Sequence, residues 1–256
     1  MADTDAPGHG AGPEGEEDGG PSIGTTASRG FMWANVGVFT RYMSALVLAA
    51  VLARVLDDTD YAVMVTLMVV TYYFDNALDL GMGAALVYEP ETGVTDRVRV
   101  AFTANVGLTA VLATVALVAS PLIADYFDLP GYTTLFRTLA VVVMMSGLTV
   151  VPWALFMRAM DFRTRAVVEV ARDLTRFAVT LGLAWAGWGA WAVMLGLISA
   201  YAVWMTMTWA FVHFRPRLQW DTKVAKELFA YAWRMAGTRL LGVLSLNGDY
   251  VIVGNR

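Results

Sequence analysis

The sequence predicts an all-α protein, a polytopic bundle of transmembrane helices, and three observations carry that prediction. Hydrophobic residues make up 57% of the 256 positions and charged residues only 16%, with a mean hydropathy of +0.55. The apolar residues fall in blocks of about 20, the length at which a helix crosses a bilayer. Within those blocks, as in residues 98–119 and 178–212, the charged outer face of a soluble amphipathic helix is missing. There is no cysteine, so disulfides and thiolate metal sites are excluded. A net charge of −4 and a pI near 5.2 provide no basic surface for nucleic acid.

Residues 1–28 are rich in Gly, Pro, Asp and Glu with few bulky apolar side chains, a composition that reads as a disordered acidic tail. No basic n-region precedes the first apolar block, so that block is expected to remain as a helix. Helix one is expected over about 31–56, with Phe31 and Trp33 at the interface and Arg41 inside the apolar run. Helix two falls within 61–88 and carries Asp75, Asn76 and Asp79. Helices three and four are expected over about 98–124 and 133–157, each with one proline, Pro121 and Pro152. Neighbouring groups commonly re-satisfy the carbonyls that such prolines free. Helix five begins amphipathically with Glu169, Arg172, Asp173 and Arg176 and turns apolar to about residue 186. Helix six follows the tight Gly187-Trp188-Gly189 turn. The domain organisation is thus a tail (1–28), a six-helix lobe (29–214), an interfacial linker (215–230) and a seventh helix (231–256), cut short, with Arg234, Arg239 and Asp249.

Loop charge sets the expected orientation. Arg97 and Arg99, then Arg158, Arg163 and Arg165, then Arg215, Arg217, Lys223 and Lys226 fall on one side, whereas the alternate loops hold Asp57, Asp58, Asp60, Asp125 and Asp128. The positive-inside rule places the amino terminus in the cytoplasm.

Ionisable groups inside the bilayer are the candidate functional residues. An Asp near the centre of a membrane helix costs about 2.5–3.5 kcal/mol, so Asp75 and Asp79 must meet water, a cation or packed protein. At about 1.5 Å per residue, Arg41 lies about 15 Å into helix one, Asp79 about 14 Å and Asp75 about 20 Å into helix two. Sequential helices are usually neighbours, which makes Arg41 with Asp75 or Asp79 the expected pair. One reading is a hydrated cavity in which Arg41 and Asn76 meet an anionic group and an Asp carries a coupling ion. The other is a structural pair locking helix one to helix two.

Other groups receive plainer readings. Gly81, Gly83, Ala84 and Ala85 form a small-residue patch for close helix packing. Glu169 with Arg172 and Asp173 with Arg176 are expected to be interfacial ion pairs. Residues 221–232 read as an interfacial helix capped by Asp221 or Thr222, with Val224, Leu228 and Phe229 toward lipid and Lys223 and Lys226 toward headgroups. His9 and His213 lack neighbours for catalysis or metal binding. Trp33, Trp153, Trp188, Trp191 and Trp220 suit an aromatic belt, whereas Trp204 and Trp209 lie deeper, where they suit stacking on sugar rings.

With helices and loops in order, the chain resembles the amino-terminal half of a polysaccharide biosynthesis protein, a lipopolysaccharide or O-antigen type flippase of the multidrug/oligosaccharidyl-lipid/polysaccharide (MOP) exporter superfamily. The matching stretches are 27–30 (ASRG), 52–56 (LARVL), 79–87 (DLGMGAALV), 157–163 (MRAMDFR), 187–192 (GWGAWA), 215–218 (RPRL) and 247–249 (NGD). The resemblance implies two six-helix lobes that rock around a cationic cavity and move undecaprenyl-diphosphate-linked sugars across the bacterial cytoplasmic membrane, commonly driven by an ion gradient. It implies Arg41, Arg234 and Arg239 as pyrophosphate contacts and Asp75, Asp79 and Asp249 as ion-coupling or charge-pairing groups. It also implies lipid-linked oligosaccharide, the bilayer and other polysaccharide assembly proteins as partners, with no cofactor. The chain stops where helix seven should reach its far side, so a fragment is expected. Leu246 stands where a basic residue is frequent in the family, and Arg239 where a small one is usual.

Two other functions were weighed against this. A membrane-embedded polysaccharide-assembly enzyme needs a base with an orienting partner on a sizeable loop, and the non-cytoplasmic loops here are short, so no enzyme is expected. A multidrug antiporter of the same superfamily has a similar helix count, but its cationic substrates fit poorly with basic residues in apolar helices.

Overall fold

The computed structural model describes residues 23–79, 94–158, 162–212, 218–227 and 230. Six long helices make up the bundle, with no strand among the described residues. They are α1 (Ile23–Val55), α2 (Asp58–Asp79), α3 (Val94–Tyr126), α4 (Thr133–Arg158), α5 (Phe162–Trp185) and α6 (Ala190–Phe211), with a 3₁₀ turn at Pro130–Tyr132 before α4. Five of them, all except α5, contain stretches long and apolar enough to cross a membrane. The chain is a multi-pass membrane protein.

Helix α1 starts at Ile23, earlier than expected. Residues 23–28, assigned by composition to the acidic tail, form its first turns. Propagating an existing helix adds one hydrogen bond for each residue fixed, and this segment has no proline to stop it. The rest of the tail, the small-residue patch after Asp79, His213 and the seventh helix with Arg234, Arg239 and Asp249 lie outside the described residues.

Helix order in space departs from chain order. Helix α1 runs along α5 and not along α2. The most extensive contacts join α3 to α4 and α5 to α6, α4 also packs on α6, and α2 lies against α4, α6 and α3. The expectation that α1 and α2 are neighbours along their length is therefore corrected. The reason is side-chain chemistry: α5 offers α1 buried acidic partners, and α2 turns its own acid toward α4 and α6.

The core is divided among three apolar clusters, one of them small and joining Leu78 of α2 to Ala113 and Ala116 of α3 and Ala140 and Val143 of α4. The largest joins Leu48 and Leu52 of α1, Met64 and Leu67 of α2, Phe136 and Leu139 of α4, and Met194 and Leu197 of α6. A smaller one joins Val98, Val100 and Phe102 of α3 to Val151 and Ala154 of α4. Val224 and Ala225 pack on this second cluster, so Val224 faces protein and not lipid as expected. The same segment is tied to α3 by Arg97 Nη2 to Glu227 Oε2 at 3.0 Å and by the Gln219 N–H donating to Thr103 Oγ1 at 3.1 Å. Asp221 caps it as expected, its Oδ1 accepting from the Lys223 N–H at 2.8 Å.

Both bilayer prolines sit inside continuous helices. Pro121 cannot donate to the Leu117 carbonyl. The Ser120 hydroxyl donates to it instead, at 2.8 Å.

Three connections meet at the end of the bundle where α1 joins α2. The Trp188 N–H donates to the Leu183 carbonyl at 3.1 Å and the Gly187 N–H to that of Ala184 at 3.0 Å, the paired bonds of a Schellman C-cap. Gly187 (φ +80°) and Gly189 (φ +52°) both lie in the left-handed region, which explains the glycines of the predicted tight turn. Asp60 accepts from the Tyr132 hydroxyl at 2.7 Å, and its Oδ2 presses where a Cβ on Gly189 would stand. We expect Gly189→Ala to lower stability by about 1–3 kcal/mol from the strained positive-φ backbone alone, read as an earlier unfolding midpoint in detergent. An unchanged midpoint would show that the turn relaxes freely.

Candidate functional site

A cavity of about 610 Å³ opens between α1, α2, α5 and α6. Its charged lining comprises Arg41, Asp75, Arg172, Asp173 and Arg176, with Tyr201 as a further polar group. Helical periodicity builds it. On α5, Arg165, Glu169, Arg172, Asp173 and Arg176 recur at intervals of three and four, which stacks them along one face.

The expected Arg41–Asp75 pair does not form. Arg41 Nη2 lies 3.6 Å from Glu169 Oε1, and its Nε lies 3.7 Å from Asp173 Oδ2, both on α5. The side chain of Asp79 lies outside the description. The expected pairing of Glu169 with Arg172 and Asp173 with Arg176 is corrected as well. Arg165 Nε donates to Glu169 Oε1 at 3.1 Å, and Arg172 Nε to Asp173 Oδ1 at 3.0 Å. The result is a chain of charges, Arg165–Glu169–Arg41–Asp173–Arg172, in which each carboxylate is shared by two guanidinium groups. It is not a set of interfacial pairs: the Glu169 side chain is only 8% exposed and that of Asp173 11%, whereas Arg41 is 47% exposed. Buried carboxylates within a membrane helix need such partners.

Asp75 is held differently. Its Oδ1 accepts from the Ser146 hydroxyl of α4 at 2.7 Å and its Oδ2 from the Tyr201 hydroxyl of α6. Two neutral donors thus tie α2 to the helices on either side, while Arg172 acts on the carboxylate from across the cavity. Asn76, the other polar candidate on α2, does not line this cavity. It is exposed, and its Nδ2 donates to the Tyr72 carbonyl one turn back at 2.7 Å.

Aromatic rings back the arginines. Trp204 packs edge-to-face on Trp153 at 5.6 Å and on Tyr201 at 5.7 Å between centroids. Arg172 lies 5.5 Å from the Trp204 ring centroid and Arg165 5.5 Å from that of Trp153, both cation–π distances. Trp209 is edge-on to Phe102 at 5.9 Å. Trp204 and Trp209, whose depth suits stacking on sugar, have protein rings as edge-on partners, and Trp153, read as a belt residue, packs on Trp204.

Sequence reasoning found Arg41 and Asp75 and placed both at the level of one cavity. It assigned Arg172 and Arg176 to interfacial ion pairs and did not single out Tyr201. The available signal was the run of charges on α5 continuing from Arg165 through Arg176 into a helix that later becomes apolar.

Comparison with known proteins agrees with this architecture. A family model described as "Polysaccharide biosynthesis protein" matches residues 51–256. The succinoglycan biosynthesis transport protein ExoT of Rhizobium meliloti (strain 1021) is 20% identical over 228 residues, covering 89% of this chain and 46% of the relative. The teichuronic acid biosynthesis protein TuaB of Bacillus subtilis (strain 168) is 22% identical over 246 residues, covering 91% and 49%. The chain thus spans about half the length of these curated relatives. No solved structure matches it. With the family model covering most of its length, including three of the four helices that line the cavity, the chain belongs to the polysaccharide biosynthesis protein family.

Proposed function

We propose that this chain is the amino-terminal lobe of a flippase. The complete protein moves an undecaprenyl-diphosphate-linked oligosaccharide, or another lipid-linked polysaccharide precursor, across the bacterial cytoplasmic membrane by alternating access. The observation that carries the proposal is the cavity itself, lined by three arginines against two carboxylates. Its volume is within the range that encloses a ligand. Arginine forks suit phosphate oxygens, and an arginine-rich cavity beside lipid suits an anionic headgroup whose tail stays in the bilayer.

The transporter reading also rests on a relative named as a transport protein. In this reading residues 29–214 form the lobe, 215–230 the linker and 231–256 the start of the second lobe. The amino terminus is cytoplasmic by loop charge. Arg234 and Arg239 serve the anion, Arg41 holds α1 at the cavity wall through Glu169 and Asp173, and Asp75, Asp79 and Asp249 are available to a coupling ion. Asn76 contributes through its helix.

The test uses vesicles that contain the complete protein and a labelled lipid-linked oligosaccharide. Movement between leaflets under a proton or sodium gradient is expected. Absence of movement under both gradients would sink the proposal, and chemical alteration of the sugar chain would favour an enzyme.

A further inference from the structure

We infer that Arg176, together with Arg172, is the anion-contacting pair of this lobe for a diphosphate diester, whereas Arg41 braces α1 against α5. The inference rests on the transport reading and deepens it by dividing the arginines according to their partners. Arg165 and Arg41 share Glu169, and Arg41 and Arg172 share Asp173. Arg176 lines the same cavity, but no carboxylate lies within ion-pair distance of it among the described residues. Its buried Nε makes no hydrogen bond.

A desolvated guanidinium with no carboxylate in contact, only the field of an Asp173 already shared by Arg41 and Arg172, is expensive in a membrane protein and marks a place where an anion binds. Asp75 lines the same cavity, but its oxygens are engaged by Tyr201 and Ser146 and it makes no ion pair with Arg176 among the described residues. The excess positive charge therefore lies at the Arg172 and Arg176 end of the cavity. Arg172 is held there by Asp173 and by the Trp204 ring. Residues at i and i+4 are neighbours on a helix surface, so one diphosphate can reach both guanidinium groups.

Asp75 opposes the anion across the same space. It weakens the hold and lets the ligand leave again. A site carrying three unopposed arginines would trap a dianion and stop turnover.

The experiment measures calorimetric binding of symmetric dimethyl diphosphate, a soluble diester, to the full 256-residue chain in lipid nanodiscs. Arg176→Gln is expected to weaken binding by at least about tenfold, as loss of a charge-assisted contact does. Arg176→Lys should recover part of that loss. Arg41→Gln is expected to change affinity by less than about threefold while lowering the unfolding midpoint, and Asp75→Asn to tighten binding several-fold. Equal weakening by Arg41→Gln and Arg176→Gln, or no weakening by the latter, overturns the assignment. Looser binding in Asp75→Asn overturns the opposing role.

Competition separates two sources of the same chemistry. Displacement of the probe by an isoprenyl-diphosphate sugar in the nanodisc identifies a lipid headgroup, and displacement only by a soluble nucleotide sugar overturns the lipid-linked class. Binding at Arg176 without lipid movement in vesicles removes the transport reading and leaves this pair standing. Movement that survives Arg176→Gln removes the pair and leaves the transport reading.

Discussion

Replacing Glu169 with alanine is expected to destabilise the lobe by about 3 kcal/mol, the scale on which removing one member of a buried ion pair acts. Glu169 is 6% exposed and bridges Arg165 and Arg41. Without it, Asp173 alone faces Arg41, Arg172 and the charge of Arg176, and Arg165 keeps only its contact with Trp153. Half-exposure of Arg41 keeps the figure at the low end, because water screens its charge. Glu169→Gln retains a hydrogen-bond acceptor for Arg165 and should lose about half as much. Thermal unfolding in detergent micelles checks both. If Glu169→Ala melts with the wild type, the charge chain contributes nothing to the α1–α5 contact.

The second large effect is expected at Gly147 of α4, which packs directly on Asn105 and Thr109 of α3. Asn105 Nδ2 donates to the Gly147 carbonyl at 2.5 Å. A Cβ at Gly147 would stand 2.8 Å from Thr109 Cβ and closer still to its hydroxyl and methyl. Thr109 is buried and cannot swing away without breaking its 2.6 Å bond to the Asn105 carbonyl. Alanine is preferred over glycine in a helix by about 1 kcal/mol. Overpacking costs about 1–3 kcal/mol, so the clash outweighs the preference, most of all for Gly147→Leu. Combining Gly147→Ala with Thr109→Ala should recover only part of the loss, since the two Cβ atoms still collide. Full recovery, or a Gly147→Leu protein as stable as the wild type, would show that the helices separate at little cost.

Small-residue packing of this kind was legible in outline. Glycine in a membrane helix points to close approach, but nothing in the chain shows that Thr109 and Asn105 meet Gly147 in particular. The helices themselves were legible in order and in most of their extent, since apolar length and turn glycines are local properties, although α1 and α3 begin before their apolar blocks. The expected start and end of helix four, the Gly187-Trp188-Gly189 turn and the Asp221 cap all appear in place.

The site divided along the same line. Depth counting put Arg41 and Asp75 at one level because helical rise is constant, and both line one cavity. Partner choice is not periodic. Arg41 had acids available on α2 and α5, and chain order favoured α2, whereas the observed pairing follows the packing of α1 on α5.

By itself, then, the sequence determined that this is an all-α membrane bundle, the order of its helices and where the chain turns between them, and which family it resembles. Those properties follow from hydropathy, backbone propensity and residue order, each readable one segment at a time. Only the tertiary structure decided that α1 lies on α5, that two carboxylates bind three arginines, and that Arg176 is left facing the cavity. Charge pairing depends on which helix faces share an interior, and that is settled by all six helices packing together.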